Sequence, residues 1–182
     1  RIQIKRKDTR EKRVKFVMDK NTYRPGGKDY IHVDDNRIQK IDEKYVTYLK
    51  LLAKQNSYGK CMMCFHDDIR KHAHEWINVY SKGTYVRPHF HPDKTETKLI
   101  IDGRMRVIIF DEAGVVIDDY VMEKESIFIS RIDKGIIHMN IQLTDVVYYE
   151  VLDGPYAGKD ESIFPQWAPG CENEDGIREF MQ

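Results

Sequence analysis

Two histidines and a glutamate lie close together in this 182-residue chain, with a spacing suited to metal binding. His89 and His91 are separated by one residue, and Glu96 follows a short turn that begins at Pro92. Because residues two apart on a strand share a face, the two imidazoles are predicted to project into the same space. The turn can bring a carboxylate back from the next strand as a third ligand.

His138 is predicted to be the fourth ligand. It follows Gly135 near the start of a later strand, where a turn can aim its side chain toward the first pair. Three histidines and one glutamate form a mixed nitrogen and oxygen shell that suits Fe(II), Mn(II), Ni(II), Co(II) or Zn(II). We therefore predict one divalent transition metal and leave its identity open.

Short strands are predicted to position these ligands. From Cys61 onward, apolar and β-branched runs alternate with turn signals, among them 111–114 and 133–135. The runs are 76–80, 98–101, 106–110, 115–121, 126–129, 136–143 and 146–152. Runs at this spacing predict an all-β barrel or sandwich. Before them, apolar residues at helical spacing between Ile41 and Asn56 predict one amphipathic helix.

The first forty residues are predicted to be a basic N-terminal extension, followed by a domain at 41–182. Residues 1–15 carry eight Lys and Arg, and strand-like stretches lie at 14–18 and 30–33. Clustered basic residues can bind nucleic acid or anionic lipid. We expect a solvated arm instead, because the segment lacks aromatic interleaving.

Composition argues against several classes of protein. The 30 Lys and Arg balance 30 Asp and Glu, which is unlike a dedicated nucleic-acid binder. No run approaches the roughly 18 apolar residues of a membrane helix. We expect a cytoplasmic protein without nucleic-acid or membrane partners. Cys61 and Cys64 are expected in a buried strand, with redox activity or zinc binding as alternatives.

The stretch from Gly83 to Gly103 resembles the first motif of the cupin superfamily, G(X)5HXH(X)3-4E(X)6G, at every defined position. The second motif, G(X)5PXG(X)2H(X)3N, is matched at its second glycine and its histidine. Three positions depart from it: Ile127, Asp133 and Gln142. The resemblance implies a cupin jelly-roll (double-stranded β-helix) barrel with its ligand site inside.

Residues 81–96 are similar to the YVRPHxHPxKxE core of the WbuC family of cupin-fold metalloproteins. His66, the segment 150–156 and Trp167 agree with the same family, and the similarity covers about residues 41–169. It implies a place in bacterial surface-polysaccharide and lipopolysaccharide biosynthesis, although the reaction of this family is not generally established.

Strand parity predicts which other side chains face the metal. If the strand is regular from Tyr85 to His91, Tyr85 and Arg87 point inward while Thr84 and Val86 point outward. The candidates for moving a proton are Tyr85, Lys98, His66 and Glu150. The candidates for holding the substrate are Arg87, Lys94 and Asn140.

Several of these residues have structural alternatives. Arg87 can form a salt bridge to a barrel carboxylate such as Glu150, and Lys98 can be exposed to solvent. Lys94 can hold the loop that positions the glutamate ligand. Trp167 is expected to close one end of the barrel as an apolar plug, with sugar stacking as the alternative.

The leading hypothesis is a metal-dependent cupin that isomerises or epimerises an activated or nucleotide-linked sugar. The metal would polarise a carbonyl or hydroxyl oxygen of the substrate. An Fe(II)-dependent dioxygenase and a non-catalytic, metal-dependent sugar-binding protein are the alternatives. The expected partners are a small-molecule substrate and a second copy in a homodimer, since exposed sheet edges are commonly covered.

Overall fold

The computed structural model describes residues 29–32, 40–66 and 68–182. These residues form two β-sheets, a helix packed on the larger sheet and a short C-terminal helix. In chain order the elements are β1 (Asp29–His32), α1 (Glu43–Gln55), β2 (Lys60–Cys64), β3 (Ala73–Tyr80), β4 (Glu96–Asp102), β5 (Met105–Phe110), β6 (Val116–Met122), β7 (Ile129–Ile132), β8 (Ile137–Gln142), β9 (Val146–Asp153), a 3-10 helix (Gly158–Asp160) and α2 (Glu174–Phe180).

The larger sheet has the strand order β1-β2-β3-β9-β4-β7, and the smaller sheet has the order β6-β5-β8. Strands pair antiparallel except β1 and β2, which are parallel. At the centre of the larger sheet, Glu150 of β9 pairs with Trp76 of β3 on one side and with Lys98 of β4 on the other. These three side chains therefore lie on the same face of the sheet. The predicted all-β class is confirmed.

Helix α1 confirms the amphipathic helix predicted between Ile41 and Asn56. Its N-cap is Asp42, whose carboxylate accepts hydrogen bonds from the backbone N–H groups of Lys44 and Tyr45. Such a cap contributes about 1 kcal/mol. Leu49 and Ala53 are buried against the larger sheet, so the predicted apolar face is the one that packs.

Residues 29–32 of the predicted N-terminal extension form β1, which joins the edge of the larger sheet. The basic segment at 1–15 and the predicted strand at 14–18 lie outside the described residues. Among the described residues, none of the helices has the length and apolar character needed to cross a membrane.

Both cysteines of the C-x-x-C pair are buried in β2. Three residues apart on a strand, they point to opposite faces of the sheet. Cys61 packs in the core between α1 and the larger sheet, where it acts as a small apolar side chain.

Two strand predictions need correction. The strand predicted at 126–129 is displaced to β7, because residues 123–126 form a turn closed by Ser126 N–H and the carbonyl of Glu123. The regular strand predicted from Tyr85 to His91 is reduced to isolated bridges at His89 and Phe90. Strand alternation therefore does not hold, and Val86, predicted to point outward, packs against an interior apolar cluster and lines the cavity described below.

The turn before β8 forms despite its departure from the second cupin motif. Gly135 adopts a positive φ of 77°, which favours glycine. Asp133 stands where the motif has proline, and its carboxylate accepts hydrogen bonds from Lys134 N–H and the Thr95 hydroxyl. These bonds hold the turn that directs the chain into β8.

Trp167 packs at one end of the smaller sheet. Its ring lies 5.1 Å from the ring of Phe110 and 6.0 Å from that of Phe180, measured between centroids. Its indole N–H donates to the carbonyl of Glu112. These contacts agree with the predicted packing role, and the ring is not among the residues that line the cavity.

Candidate metal centre

Backbone pairing brings the first and last predicted ligands together. The N–H of His89 donates to the carbonyl of His138 over 3.0 Å, and the N–H of His138 donates back to His89 over 2.9 Å. This reciprocal pair is the hydrogen-bonded pair of an antiparallel ladder, in which opposing side chains are neighbours. The imidazole centroids of the two residues lie 4.6 Å apart.

The turn before β8 holds the second histidine, and strand pairing holds the glutamate. The carbonyl of His91 accepts from the N–H of Gly135 over 2.8 Å, so the turn before β8 also supports the second histidine. Glu96 opens β4, where it pairs with Leu152 of β9 and Ile132 of β7. Its backbone is thus fixed from both sides, and its side chain is 2% exposed.

All three histidines have their Nδ1 atom on a backbone carbonyl. Nδ1 of His89 lies 2.9 Å from the oxygen of Arg87, and Nδ1 of His138 lies 2.9 Å from the oxygen of Ile136. Nδ1 of His91 lies 2.6 Å from the oxygen of Glu161. Since a carbonyl only accepts, each Nδ1 carries the proton and each Nε2 keeps its lone pair. This is the tautomer of a metal-ligating histidine whose outer nitrogen is oriented by the protein.

The ligand atoms converge on a common point. One ligand nitrogen from each of His89, His91 and His138 lies within 4.8 Å of the other two. Glu96 joins them, with Oε1 at 2.8 Å from Nε2 of His138 and Oε2 at 3.6 Å from Nε2 of His91. The four residues predicted as ligands are therefore brought together.

A buried atom without a hydrogen bond supports the fit to a cation. Nε2 of His138 is buried and forms no hydrogen bond with any described group, although a Glu96 oxygen lies nearby. With the proton on Nδ1, this contact sets two lone pairs against each other. A cation between them would relieve the repulsion, so the donor set fits a divalent metal.

The charges of the cluster also suit a metal. Burial lowers the pKa of His89 well below its ordinary value, which keeps this imidazole neutral. Burial raises the pKa of Glu96, but the Lys98 ammonium and the imidazoles of His138 and His91 together outweigh that effect and hold the pKa well below its ordinary value. The cluster therefore offers a neutral imidazole and an ionised carboxylate.

Lys98 is buried beside the glutamate ligand. Its side chain is 1% exposed, so the alternative that it faces solvent is wrong. Its Nζ forms a short ion pair with Oε1 of Glu96. The predicted proton-transfer candidate therefore also neutralises a predicted metal ligand.

A cavity of about 670 Å³ opens in front of the cluster. Nine of the eleven predicted site residues line it: His66, Tyr85, Arg87, His89, His91, Glu96, Lys98, Asn140 and Glu150. His138 and Lys94 are not among its lining residues. A cavity of this size lies within the range of about 300–1,000 Å³ that is typical of small-molecule sites.

Tyr85 and Arg87 reach the C-terminal segment that borders the cavity. The hydroxyl of Tyr85 donates to the carbonyl of Pro169, and burial raises its pKa to about 12. Arg87 donates through Nε and Nη2 to the carbonyl of Ala168, and its Cζ lies 4.7 Å from the ring centroid of Phe164. The salt bridge of Arg87 to Glu150 offered as an alternative is not formed.

Glu150 and Asn140 contribute polar groups to the cavity wall. A Glu150 oxygen accepts from the side-chain amide of Asn78 over 2.5 Å. Asn140 lies two residues beyond His138 on β8, is 3% exposed, and its Oδ1 has no described hydrogen-bond partner. Oδ1 of Asn140 can therefore accept a hydrogen bond from a ligand.

His66 and Lys94 are held by neighbouring residues. The ring of His66 stacks on His74 with centroids 4.3 Å apart, and its Nδ1 accepts from the N–H of Glu75. Lys94 is 8% exposed and pairs with Glu161, while also donating to the carbonyl of Pro155. These contacts agree with the alternative in which Lys94 holds the loop that positions the glutamate ligand.

Sequence reasoning missed the contribution of the segment after β9. Glu161 supplies the carbonyl that orients His91, and its carboxylate pairs with Lys94. Phe164 lies 6.2 Å from the ring of His89 between centroids. The role of Glu161 could not be predicted, because every residue has a backbone carbonyl. For Phe164, the apolar run Ile163-Phe164-Pro165 was a signal that the sequence did contain.

Comparison with known sequences gives one partial match. A family model described as a domain of unknown function, DUF6016, matches residues 41–122, which is less than half of the chain. None of the curated proteins matches the amino-acid sequence significantly.

Two solved structures resemble part of this chain. The capsular polysaccharide assembling protein CapF from Staphylococcus aureus is 18% identical, with a TM-score of 0.50 over 57% of this chain and 28% of its own. An oxalate decarboxylase from Lactobacillus farciminis, in a formate complex, is 17% identical, with a TM-score of 0.43 over 52% of this chain and 27% of its own. This chain therefore spans less than a third of either protein. The likeness to CapF is one of fold, and it confirms the predicted cupin jelly roll.

Proposed function

We propose that this chain is a metal-dependent cupin, related to the WbuC family, that isomerises or epimerises an activated sugar in bacterial surface-polysaccharide assembly. The observation that carries the metal proposal is the common tautomer of the three histidines, which leaves three Nε2 lone pairs beside one buried carboxylate. His89, His91, Glu96 and His138 would hold the cation. A metal held there supplies a Lewis acid, which stabilises negative charge on a substrate oxygen.

The cavity supports a polyhydroxy substrate. Asn140 offers an unpaired acceptor, Lys98 offers a donor, and Glu150 lies beside Lys98 on the same face of the larger sheet. In the proposed reaction Glu150 takes a proton from a carbon next to a carbonyl. Tyr85 stays protonated at neutral pH because its pKa is about 12, so it can donate but does not act as a base.

The placement of the reaction in polysaccharide assembly rests on the sequence similarity at 81–96. The cupin fold hosts many reactions, so the fold alone does not choose one. CapF, described as a capsular polysaccharide assembling protein, has the same fold and is compatible with this placement.

Metal content is the first measurement. Purified protein should contain about one equivalent of a transition metal by elemental analysis, and His138→Gln should lose it because a ligand nitrogen is removed. His72→Gln is the matched control, since His72 is exposed and is not among the lining residues. Natural protein that takes up no metal after loading with Fe, Mn, Ni, Co or Zn would contradict the metal proposal.

The reaction class is tested with nucleotide-linked keto sugars in D2O. We expect deuterium to enter the sugar at the carbon next to the carbonyl in metal-loaded protein, and Glu150→Gln to abolish the exchange. NMR spectroscopy measures this directly. A ligand that binds in a metal-dependent manner but returns without deuterium would contradict the isomerase proposal, and so would turnover that consumes oxygen.

A further inference from the structure

Arg87 is held in the cavity wall by neutral groups. Its Nε and Nη2 atoms donate to the carbonyl of Ala168 over 3.1 and 2.9 Å. Its guanidinium also lies against the ring of Phe164, with Cζ 4.7 Å from the ring centroid. A backbone carbonyl and an aromatic face fix the plane of the guanidinium but leave its positive charge in place.

The contacts of Arg87 leave part of its hydrogen-bonding capacity open. A guanidinium has five N–H donors, and two of them are used on Ala168. Both N–H groups of Nη1 and one of Nη2 remain, and one N–H from each nitrogen lies along the Nη1–Nη2 edge. Two donors along one edge match the geometry of a phosphate or carboxylate.

Two cationic side chains beside the predicted metal ligands are already neutralised. Lys98 pairs with Glu96, and Lys94 pairs with Glu161. Arg87 forms no ion pair with any carboxylate that the structure describes. Glu172 lines the same cavity but does not pair with Arg87. Among the residues that the structure describes, the guanidinium is thus a positive charge on the cavity wall that no carboxylate pairs with.

Arg87 is also directly linked to the predicted metal ligands. Its carbonyl accepts from Nδ1 of His89, and Phe164 lies beside both the guanidinium and the His89 ring. Phe164 is 45% exposed. One ligand can therefore pass the ring of Phe164, with one end at the guanidinium and the other at the metal cluster.

We propose that the Nη1–Nη2 edge of Arg87 is an oxyanion subsite, which binds a phosphate or carboxylate group of the cavity's ligand independently of the metal. The inference rests on the proposed function in one respect, which is that a single ligand reaches both the Arg87 guanidinium and the predicted metal ligands. It narrows the substrate class to sugars that carry an anionic group. Neutral sugars would lack the contact that anchors them at this end.

Chemical labelling of the natural chain tests the subsite. Metal is first removed with a chelator, so that added anions cannot bind through it. Phenylglyoxal then modifies accessible arginines, and peptide mass spectrometry measures the rate at each position. Inorganic phosphate at about ten times its dissociation constant should slow the labelling of Arg87 by about tenfold, because protection follows the occupancy of the site. Sodium chloride at equal ionic strength should not.

Arg131 is the internal control for this experiment. It lies on β7 with 62% of its side chain exposed, and it is not among the lining residues. Its labelling should be unchanged by phosphate. An acetate series separates the two oxyanions, because stronger protection by acetate would assign the subsite to a carboxylate. Failure of both anions to protect Arg87, or equal protection of Arg131, would overturn the proposal.

Variants give a second readout. The dissociation constant of phosphate, measured by 31P NMR, should rise about tenfold in Arg87→Gln and stay unchanged in Arg131→Gln. If Arg87→Gln fails to fold because the contact with Ala168 is lost, the labelling of the natural chain decides. Protection of Arg87 in a protein that never takes up metal would uphold the subsite while rejecting the metal proposal. Metal uptake without protection of Arg87 would reject the subsite and leave the metal proposal standing.

Discussion

Glu96 contacts three ionisable side chains of the candidate site. Its carboxylate contacts the imidazoles of His91 and His138 and pairs with the ammonium of Lys98. A buried charge is costly unless it is paired and hydrogen-bonded. Lys98 therefore helps to keep Glu96 ionised. The carboxylate needs its negative charge both to bind a cation and to pair with the Lys98 ammonium.

We expect Glu96→Gln to lose both metal and stability. The amide is a weaker ligand, and it leaves the Lys98 ammonium buried without its charged partner, a loss that costs about 3 kcal/mol or more. Elemental analysis and urea unfolding measure the two effects. Unchanged metal affinity in this variant would remove Glu96 from the ligand set.

The double variant Glu96→Gln/Lys98→Met is the control for this interpretation. It removes the unpaired ammonium along with the carboxylate, so part of the lost stability should return while the metal stays absent. If the double variant is no more stable than the single one, Lys98 is not the source of the loss.

Residue spacing was sufficient to find the four predicted ligands. The partner of Arg87 was not predictable, because it is the carbonyl of Ala168, and every residue has a carbonyl. The sequence also left open whether Lys98 faces the cavity or solvent, since a lysine enters a core only when a specific partner neutralises it. Such partners depend on contacts between distant segments.

At the scale of elements, two glycine turns place the ligand-bearing strands. Gly103 follows β4 with a φ of 82°, and Gly135 precedes β8 with a φ of 77°. Both conformations favour glycine, yet their surroundings differ. A Cβ on Gly103 would overlap the carbonyl of Asp145, whereas no described atom lies within 4 Å of a Cβ on Gly135.

We expect Gly103→Ala to be more destabilising than Gly135→Ala. Both variants force alanine into a left-handed conformation, which costs about 1 kcal/mol. Only the first adds a clash with backbone, which cannot rotate away. Urea unfolding compares their free energies. Equal losses would show that the turn around Gly103 relaxes without cost.

The strand elements were largely predictable, and the segment before the histidines was not. Apolar, β-branched and aromatic runs located β3, β5, β8 and β9, because the side chains of these strands are mostly buried or half-buried. Residues 85–88 have similar residue types but form no ladder, since they cross to the C-terminal segment and bond to Ala168 and Pro169. Local pattern carries no information about that crossing.

At the scale of the whole molecule, the predicted ligands connect the two sheets. Glu96 belongs to the larger sheet and His138 to the smaller one, while His89 and His91 lie in the chain between β3 and β4. A cation bound by all of them would cross-link segments that separate on unfolding. Metal binding is therefore expected to stabilise the fold as a whole.

We predict that metal raises the melting temperature in a concentration-dependent manner. At a free metal concentration one hundred times the dissociation constant, the added stability should be about 2.7 kcal/mol. Calorimetry with metal and with chelator measures the shift. His138→Gln should show no shift, while His72→Gln should behave as the natural chain. A shift that persists in His138→Gln would place the metal elsewhere.

The sequence by itself determined the all-β class, the helix before it and the set of predicted metal ligands, because these depend on local periodicity and on the spacing of residues along one or two strands. Tertiary structure alone decided the tautomers of the histidines, the burial of Lys98 beside Glu96 and the open edge of Arg87. Each of these depends on a backbone carbonyl or a charge supplied by a segment distant in the chain, and such contacts exist only once the two sheets have packed.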